Sequence, residues 1–286
     1  MKAALVAITG AGGFIGRALT RRLTARHGSL RLHAGPPGAP GPSEAARFAI
    51  DDTAAVAAFV AGARCVVHLA GPPDTRAALP ARTLREHIAG TAAVLAAAAE
   101  AGSSVIYVSS ATVHGAGEDT DESPPSAYAA AKRAAEGIVR AYRGLVPSLI
   151  LRPANVYGPG AHASTLIPEL IARALSGEPV VARHPTARID PIYVDDVAAA
   201  LEAALAHVGR APSAAVVEVG SGRHPTAGAL AERIAWLSGR TPTAPPPEPD
   251  RAPGGSDALP GWAPRVGLDA GLRQTIDAAR HEEARA

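Results

Sequence analysis

Tyr128-Ala129-Ala130-Ala131-Lys132 sets a phenol and an ammonium four residues apart, a spacing that puts both on one face of a helix. A neighbouring ammonium favours phenolate, which predicts a tyrosine pKa lowered toward working pH. Such a phenol serves as general acid or base on a sugar or ketone oxygen. Just upstream, Ser109-Ser110-Ala111-Thr112 closes an apolar run and offers hydroxyls to hold a substrate oxygen. Turn or capping hydroxyls are the plainer use of the same residues. Near the N-terminus, Thr9-Gly10-Ala11-Gly12-Gly13-Phe14-Ile15-Gly16 places Gly10, Gly13 and Gly16 three apart. A pyrophosphate can rest on a helix N-terminus only where no Cβ intervenes. A plain tight turn would also use glycines. The position between a strand and a helix favours the phosphate loop.

The elements that must position these groups alternate. Short β-branched runs at 3–8, 30–34, 65–69, 105–109, 149–152 and 216–219 read as strands. Stretches of helical period lie between and after them, at 16–25, 54–61, 83–101, 127–142, 165–175, 193–206, 227–237 and 268–279. Asp52 or Thr53 caps the second helix, Gly102 ends the third, and the Asp195-Asp196 pair suits the start of the helix at 193–206. Strands separated by helices predict an α/β fold, a Rossmann-type doubly wound parallel sheet, with a smaller C-terminal α/β substrate lobe. The expected division is a dinucleotide-binding domain at 1–155 and a mainly substrate-binding lobe at 156–286, with 189–220 returning to the first domain. Residues 241–255 are Pro-rich and read as an extended connector, and 35–42 as a surface loop.

Composition narrows the classes. Lys+Arg 28 against Asp+Glu 26 gives +2 in 286 residues, so neither nucleic acid nor an anionic membrane is expected as partner. Hydrophobic residues make up 47% and aromatics 3%, so the core must be built from Ala, Val, Leu and Ile. The single cysteine, Cys65 in an apolar run, excludes an intramolecular disulfide framework and reads as a buried, inert thiol. The ten histidines form no metal-ligand spacing; His27 and His33 lie six apart across a strand boundary. No stretch approaches a membrane span, and the first residues are too short for a signal sequence, so a cytoplasmic protein is expected.

Taken together these segments resemble the extended short-chain dehydrogenase/reductase family, in its branch of nucleotide-sugar epimerases, dehydratases and reductases. The resemblance rests on TGAGGFIG at 9–16, HLAG at 68–71, SSATVHG at 109–115, YAAAK at 128–132, LRPANVYGPG at 151–160, RIDPIYVDDVA at 188–198 and GWAPRVGLDAGLRQTI at 261–276. It implies that Gly10, Gly13, Phe14, Ile15 and Gly16 hold a dinucleotide pyrophosphate. Leu69, Ala70 and Gly71, with Pro153, would line the nicotinamide side. Tyr128 would be the acid/base, and Lys132 would bind ribose hydroxyls and depress the Tyr128 pKa. Ser110 would bond the reacting oxygen, with Thr112 assisting. Asn155, Arg188 and, more loosely, Arg251 would meet the nucleotide diphosphate of a nucleotide-sugar substrate. The family's habit of pairing its two long helices implies a homodimer. No metal is implied.

Departures from the family pattern select among activities. No acid stands at Ala34 or Gly35 to bond a ribose 2′-hydroxyl; Arg31 and His33 are near, and nothing repels a 2′-phosphate, which tilts the cofactor from NAD toward NADP. Phe48-Ala49 replace the usual Gly-Asp at the adenine, His87 the usual Asn, and His114 the usual Tyr. Ala111-Thr112 replace the Asp-Glu of the 4,6-dehydratases, so water elimination lacks its carboxylates. Glu118, Asp119, Asp121 and Glu122 read as a solvated lid. The expectation is reduction of a 4-keto sugar. A 4-epimerase with retained NAD, a reductase of a non-sugar carbonyl, and a non-catalytic dinucleotide-binding protein are the alternatives.

Overall fold

The structure, a computed structural model, describes residues 4–26, 29–72, 81–116, 126–241 and 259–284. It separates into two compact units. Unit 1 comprises Met1–Pro153, Ala198–Glu218 and Ser256–Trp262. Unit 2 comprises Ala154–Val197, Val219–Gly255 and Ala263–Ala286.

Unit 1 is built on β1 (Val6–Thr9), β2 (Leu30–His33), β3 (Cys65–His68), β4 (Ser104–Val108) and β5 (Ser148–Pro153). With β8 (Ala215–Val219) they form one sheet in the order β2-β1-β3-β4-β5-β8. The pairings of β1 with β2 and β3, of β3 with β4 and of β4 with β5 are parallel. β1 and β3 are buried at every residue. Strands covered on both faces read as continuous apolar runs, which is why VAIT and CVVH do not alternate. Helices α1 (Phe14–Thr24), α2 (Thr53–Val60), α3 (Ala81–Ala101) and α4 (Ala127–Ala141) join them. Asp52 caps α2, its carboxylate accepting from the Ala55 amide at 3.1 Å.

Small residues substitute for aromatic bulk in the core. Ala93, Ala97 and Ala98 of α3 and Ala131 and Ala135 of α4 are buried, and these two helices pack side by side. The α2 face adds Val56, Phe59 and Val60 to the same core. Cys65 is buried as expected, and burial pushes its thiol up to about 12.

Unit 2 holds β6 (Asn155–Tyr157) paired in parallel with β7 (Pro191–Tyr193), together with α5 (Leu166–Ser176), α7 (Ala227–Leu237) and α8 (Leu268–Glu283). Helix α6 (Val194–His207) begins in unit 2, and its first-turn Asp196 accepts from the amides of Arg265 and Val266, both at 2.9 Å. Tyr157 and Tyr193 meet edge to face at 5.5 Å. Gly271 fits beneath them only because it has no side chain; a Cβ there would strike the Tyr157 hydroxyl.

One feature differs from the sequence reading. β6 and β7 are strands of three residues, too short to show a period, and Tyr193 ends β7 rather than starting α6. A feature that the sequence reading did not contain is an isolated parallel bridge between His33 and Ala46 beside β2. The Pro-rich 242–258 segment, with Arg251, and the acidic residues Glu118, Asp119, Asp121 and Glu122 lie outside the described residues, as does His27. Among the described residues no helix is long and apolar enough to cross a membrane, and no cluster of His, Cys, Asp or Glu could hold a metal.

Candidate active site

The glycine loop leaves β1 and enters α1 with its backbone packed against itself. Gly10 has φ +74, and a Cβ there would lie 2.8 Å from the Ala70 amide nitrogen. A Cβ on Gly16 would strike the Gly10 carbonyl oxygen, and one on Gly12 the Pro40 carbonyl oxygen. Gly13 is the N-cap of α1 and offers no side chain to its first amides. Those donors therefore remain for an anion. The loop opens on a cleft of about 780 Å³ lined by Gly10, Gly13, Ala34, Leu69, Ala70 and Gly71, among others. Phe14 and Ile15 are half-buried in the first turn of α1, Gly16 is buried below the loop, and Pro153 is buried at the end of β5. A cleft of this size, with Gly10, Gly12 and Gly13 in its lining and an uncapped helix start beside it, fits a dinucleotide.

Near the end of β2 the basic residues are engaged by carbonyls and rings. Arg31 donates from Nη1 to the carbonyls of Phe59, at 2.5 Å, and Ala61, at 2.8 Å, closing the end of α2. His33 is buried, with its ring 4.1 Å from that of Phe48 and Nε2 3.0 Å from the Phe48 carbonyl; burial lowers its pKa. Arg47 also turns inward. Its Nη1 donates to Ala34 and Ala39 and its Nη2 to Gly41 and Pro42, at 2.8 to 3.2 Å, so the guanidinium staples the 35–42 loop.

The catalytic candidates lie together at the ends of β4 and α4. Ser110 follows β4, and a 3-10 turn, Ala111–Ala116, follows it. Thr112 is exposed and donates to the Ser110 Oγ from its hydroxyl at 3.0 Å and its amide at 3.3 Å. Ser126 caps α4, accepting from the Ala129 amide, so Tyr128 sits in the first turn. Lys132, one turn on, is buried and donates to the Val108 carbonyl at 2.8 Å. Its ammonium lies 5.1 Å from the Tyr107 ring and 5.8 Å from the Tyr128 ring.

The electrostatics correct the expected order of titration. Burial pushes the Tyr128 phenol up to about 12, opposed by its hydrogen bond with Ser110. Burial pulls Lys132 down to about 7, opposed by the charge of Glu136. Lys132 donates to a backbone carbonyl. Desolvation therefore outweighs the charge effect read from the i, i+4 spacing, and Tyr128 is held protonated.

Two histidines that depart from the family pattern occupy different surroundings. His87 is buried, its ring edge-on to Tyr128 at 5.6 Å and its Nε2 donating to the Pro72 carbonyl at 3.1 Å. A carbonyl only accepts, so the proton sits on Nε2 and Nδ1 is a buried acceptor, without a partner among the described residues. Burial, then the charge of Lys132, lowers His87 to about 3. His114, in the 3-10 turn, is exposed and its Nε2 lies 2.9 Å from Glu218.

Of the residues expected to meet substrate, Asn155 and Arg188 lie in unit 2. Asn155 is exposed at the start of β6, its amide donating to the Asp190 carbonyl at 2.9 Å. Arg188 is exposed and donates to the His224 carbonyl at 2.9 Å. Asp190 itself accepts from Ser221 and Gly222 and fixes that turn. Arg251 is outside the described residues.

The sequence reading missed Glu136 and Arg152. Glu136 is fully buried beside Lys132 and meets Arg152 and Ser109. A carboxylate four residues past Lys132, on the buried face of an Ala-rich helix, was the available signal. A second signal is the lysine count: the chain has 26 arginines but two lysines, Lys2 and Lys132.

A parallel Rossmann-type sheet, a glycine loop under a helix start, and a Ser-Tyr-Lys set define the class: an extended short-chain dehydrogenase/reductase fold. The family model described as NAD dependent epimerase/dehydratase matches residues 6–220, and the chain belongs to that family. Among curated relatives, the low-salt glycan biosynthesis protein Agl12 of Haloferax volcanii is 41% identical over 92 residues, 31% of this chain and 29% of that protein. Ceramide reductase of Caulobacter vibrioides is 36% identical over 209 residues, 70% of this chain and 60% of that protein. The matches thus span less than two thirds of the length of either relative. The solved structure of MoeE5 in complex with UDP-glucuronic acid and NAD is similar at 26% identity and a TM-score of 0.79, covering 97% of this chain and 99% of that one.

Proposed function

We propose that this protein is an NAD(P)-dependent oxidoreductase that reduces the 4-keto group of a nucleotide-activated sugar, with Tyr128 as general acid. The observation that carries the reading is the geometry of the set: the Tyr128 phenol is hydrogen-bonded to Ser110, the Lys132 ammonium lies 5.8 Å from its ring, and burial favours the protonated phenol. A carbonyl carbon that gains hydride needs a proton at its oxygen, and a phenol bonded to a neighbouring hydroxyl can donate it. Ser110, steadied by Thr112, orients that oxygen. Lys132 bonds ribose hydroxyls and returns a proton to Tyr128. Gly10, Gly13, Phe14, Ile15 and Gly16 hold the pyrophosphate, and Leu69, Ala70, Gly71 and Pro153 border the nicotinamide ribose. Hydride exchange is the chemistry that a bound nicotinamide dinucleotide supplies. Asn155 and Arg188, with Arg251, take the nucleotide diphosphate. With no acid at Ala34 or Gly35, and with Arg31, His33 and Arg47 engaged by backbone carbonyls, NADPH and NADH are both admitted.

The test is incubation with a nucleoside-diphosphate 4-keto-6-deoxyhexose and NADPH or NADH, following cofactor absorbance. Stoichiometric consumption is expected. Interconversion of two nucleotide hexoses without net consumption would replace the reductase with an epimerase, the reading favoured by the pairing of NAD with a nucleotide sugar in MoeE5. The ceramide reductase match favours a non-sugar carbonyl instead. Arg188→Ala separates these two: KM for the nucleotide sugar should rise about tenfold or more, as expected for loss of a charged phosphate contact, whereas an unchanged KM would contradict the diphosphate role.

A further inference from the structure

We propose that Glu136 and Arg152 are positioning residues for the Ser110, Tyr128 and Lys132 set, and that His114 is the outer end of the same brace. The proposal rests on the functional reading above for its kinetic consequences. Its geometry stands apart from that reading.

Glu136 lies four residues after Lys132 and eight after Tyr128 on α4 and is fully buried. Its Oε1 accepts from the Ser109 hydroxyl at 2.6 Å and from Arg152 Nε at 2.8 Å. Its Oε2 accepts from Arg152 Nη2 at 2.7 Å and from Arg140 Nη2 at 3.0 Å. Four donors converge on one carboxylate. Burial opposes its charge, but the bonds from Arg152 and Ser109, with the arginine charges, outweigh burial and hold it below the ordinary carboxylate range. Arg152 has a further donor, Nη1, which meets Glu218 at 3.1 Å, and Glu218 meets His114.

The arrangement ties both flanks of Ser110. Ser109 is gripped through Glu136, and His114 through Glu218, and Arg152 joins the two tethers. Four elements meet there, the 3-10 turn, α4, β5 and β8, together with Ser109, the residue that follows β4. A buried ion pair adds little stability over apolar packing of the same volume, so geometry is what this one supplies. Ser110 must hold a reacting oxygen within hydrogen-bond distance of Tyr128, and a small misplacement there is costly.

Glu136 also sustains the charge of Lys132. The titratable groups facing that amine are Glu136 and Tyr128 on α4, Tyr107 on β4, His68 on β3 and His87 on α3. Both imidazoles are lowered to about 3 and stay neutral, and both phenols are raised. Glu136 is the negative charge in that set.

The two lysines make this measurable without catalysis, because ¹³C-lysine labelling gives two side-chain titrations, one of them an N-terminal residue. In Glu136→Gln, Lys132 should titrate about one pH unit or more lower than in the wild type. Its kcat should fall about tenfold or more while the Kd for the dinucleotide stays within about twofold. An unchanged Lys132 titration overturns the proposal. His114 and Glu218 are 58% and 51% exposed, so their variants keep the core intact should Glu136→Gln fail to fold. His114→Ala and Glu218→Gln should each lower kcat about threefold to tenfold, and the double variant should lose no more than the worse single one. Fully additive losses overturn the shared tether. A wild type that reduces no 4-keto sugar defeats the functional reading alone; the Lys132 titration in Glu136→Gln then still decides the brace.

Discussion

Lysine at 132 is an exception in a chain that uses arginine for 26 of its 28 basic residues. A guanidinium does not release its proton in a protein, whereas a buried amine does. On the proposed role, in which Lys132 returns a proton to the phenol, arginine cannot replace it, and Lys132→Arg should lower kcat about 100-fold, the lower end of what acid–base catalysis contributes. The same burial has a stability signature. Lys132 falls from an ordinary 10.5 to about 7, so between those values the unfolded chain carries a proton that the folded chain has released. This group makes stability rise with pH across that window. Lys132→Met should flatten that rise in thermal melts taken from pH 7 to 10. The histidines act at the other end. His68 and His87 fall from 6.5 to about 3, so stability declines as pH drops through that range. His87→Asn should move the midpoint of acid unfolding to lower pH, a shift read by circular dichroism. None of these directions was legible from spacing alone. The Tyr128-Lys132 pair was, but the sign of the tyrosine shift depends on burial, which a pair of letters does not display.

At the scale of elements, the strands and helices that carry the site were readable because each has an unambiguous period or cap. β1 and β3 announce themselves as short apolar runs, α2 by Asp52, and α1 by the glycines before it. β6 and β7 were not, since three residues hold no period and their pairing joins segments 36 residues apart, Asn155 with Pro191. The brace escaped too: His114, Glu136, Arg152 and Glu218 come from four elements and Ser109 from the residue after β4, and only the fold brings them together. The glycine loop shows the reverse case, where sequence and structure agree on a steric demand. Gly16→Ala would drive a Cβ into the Gly10 carbonyl. It should destabilise the protein by about 1–3 kcal/mol, as overpacking does, and abolish dinucleotide binding measured by fluorescence titration.

For the whole molecule, the parallel Rossmann-type sheet and the family follow from the alternation of elements and the motifs, while the cofactor and the substrate depend on side chains the motifs do not contain. Ala34 and Gly35 signal a missing acid, yet only the structure shows Arg31, His33 and Arg47 turned away to carbonyls and rings. The account therefore expects kcat/KM for NADPH and NADH to agree within about tenfold, a difference of about 1.4 kcal/mol in transition-state binding. The central claim is that Tyr128 donates the proton as hydride reaches a 4-keto carbon. Single-turnover oxidation of NADPH by a nucleoside-diphosphate 4-keto-6-deoxyhexose, with wild type and Tyr128→Phe compared at equal cofactor saturation, tests it directly. The account predicts wild-type turnover and a loss of about 100-fold to 10,000-fold in Tyr128→Phe, with cofactor affinity retained. Equal rates in the two proteins would contradict it.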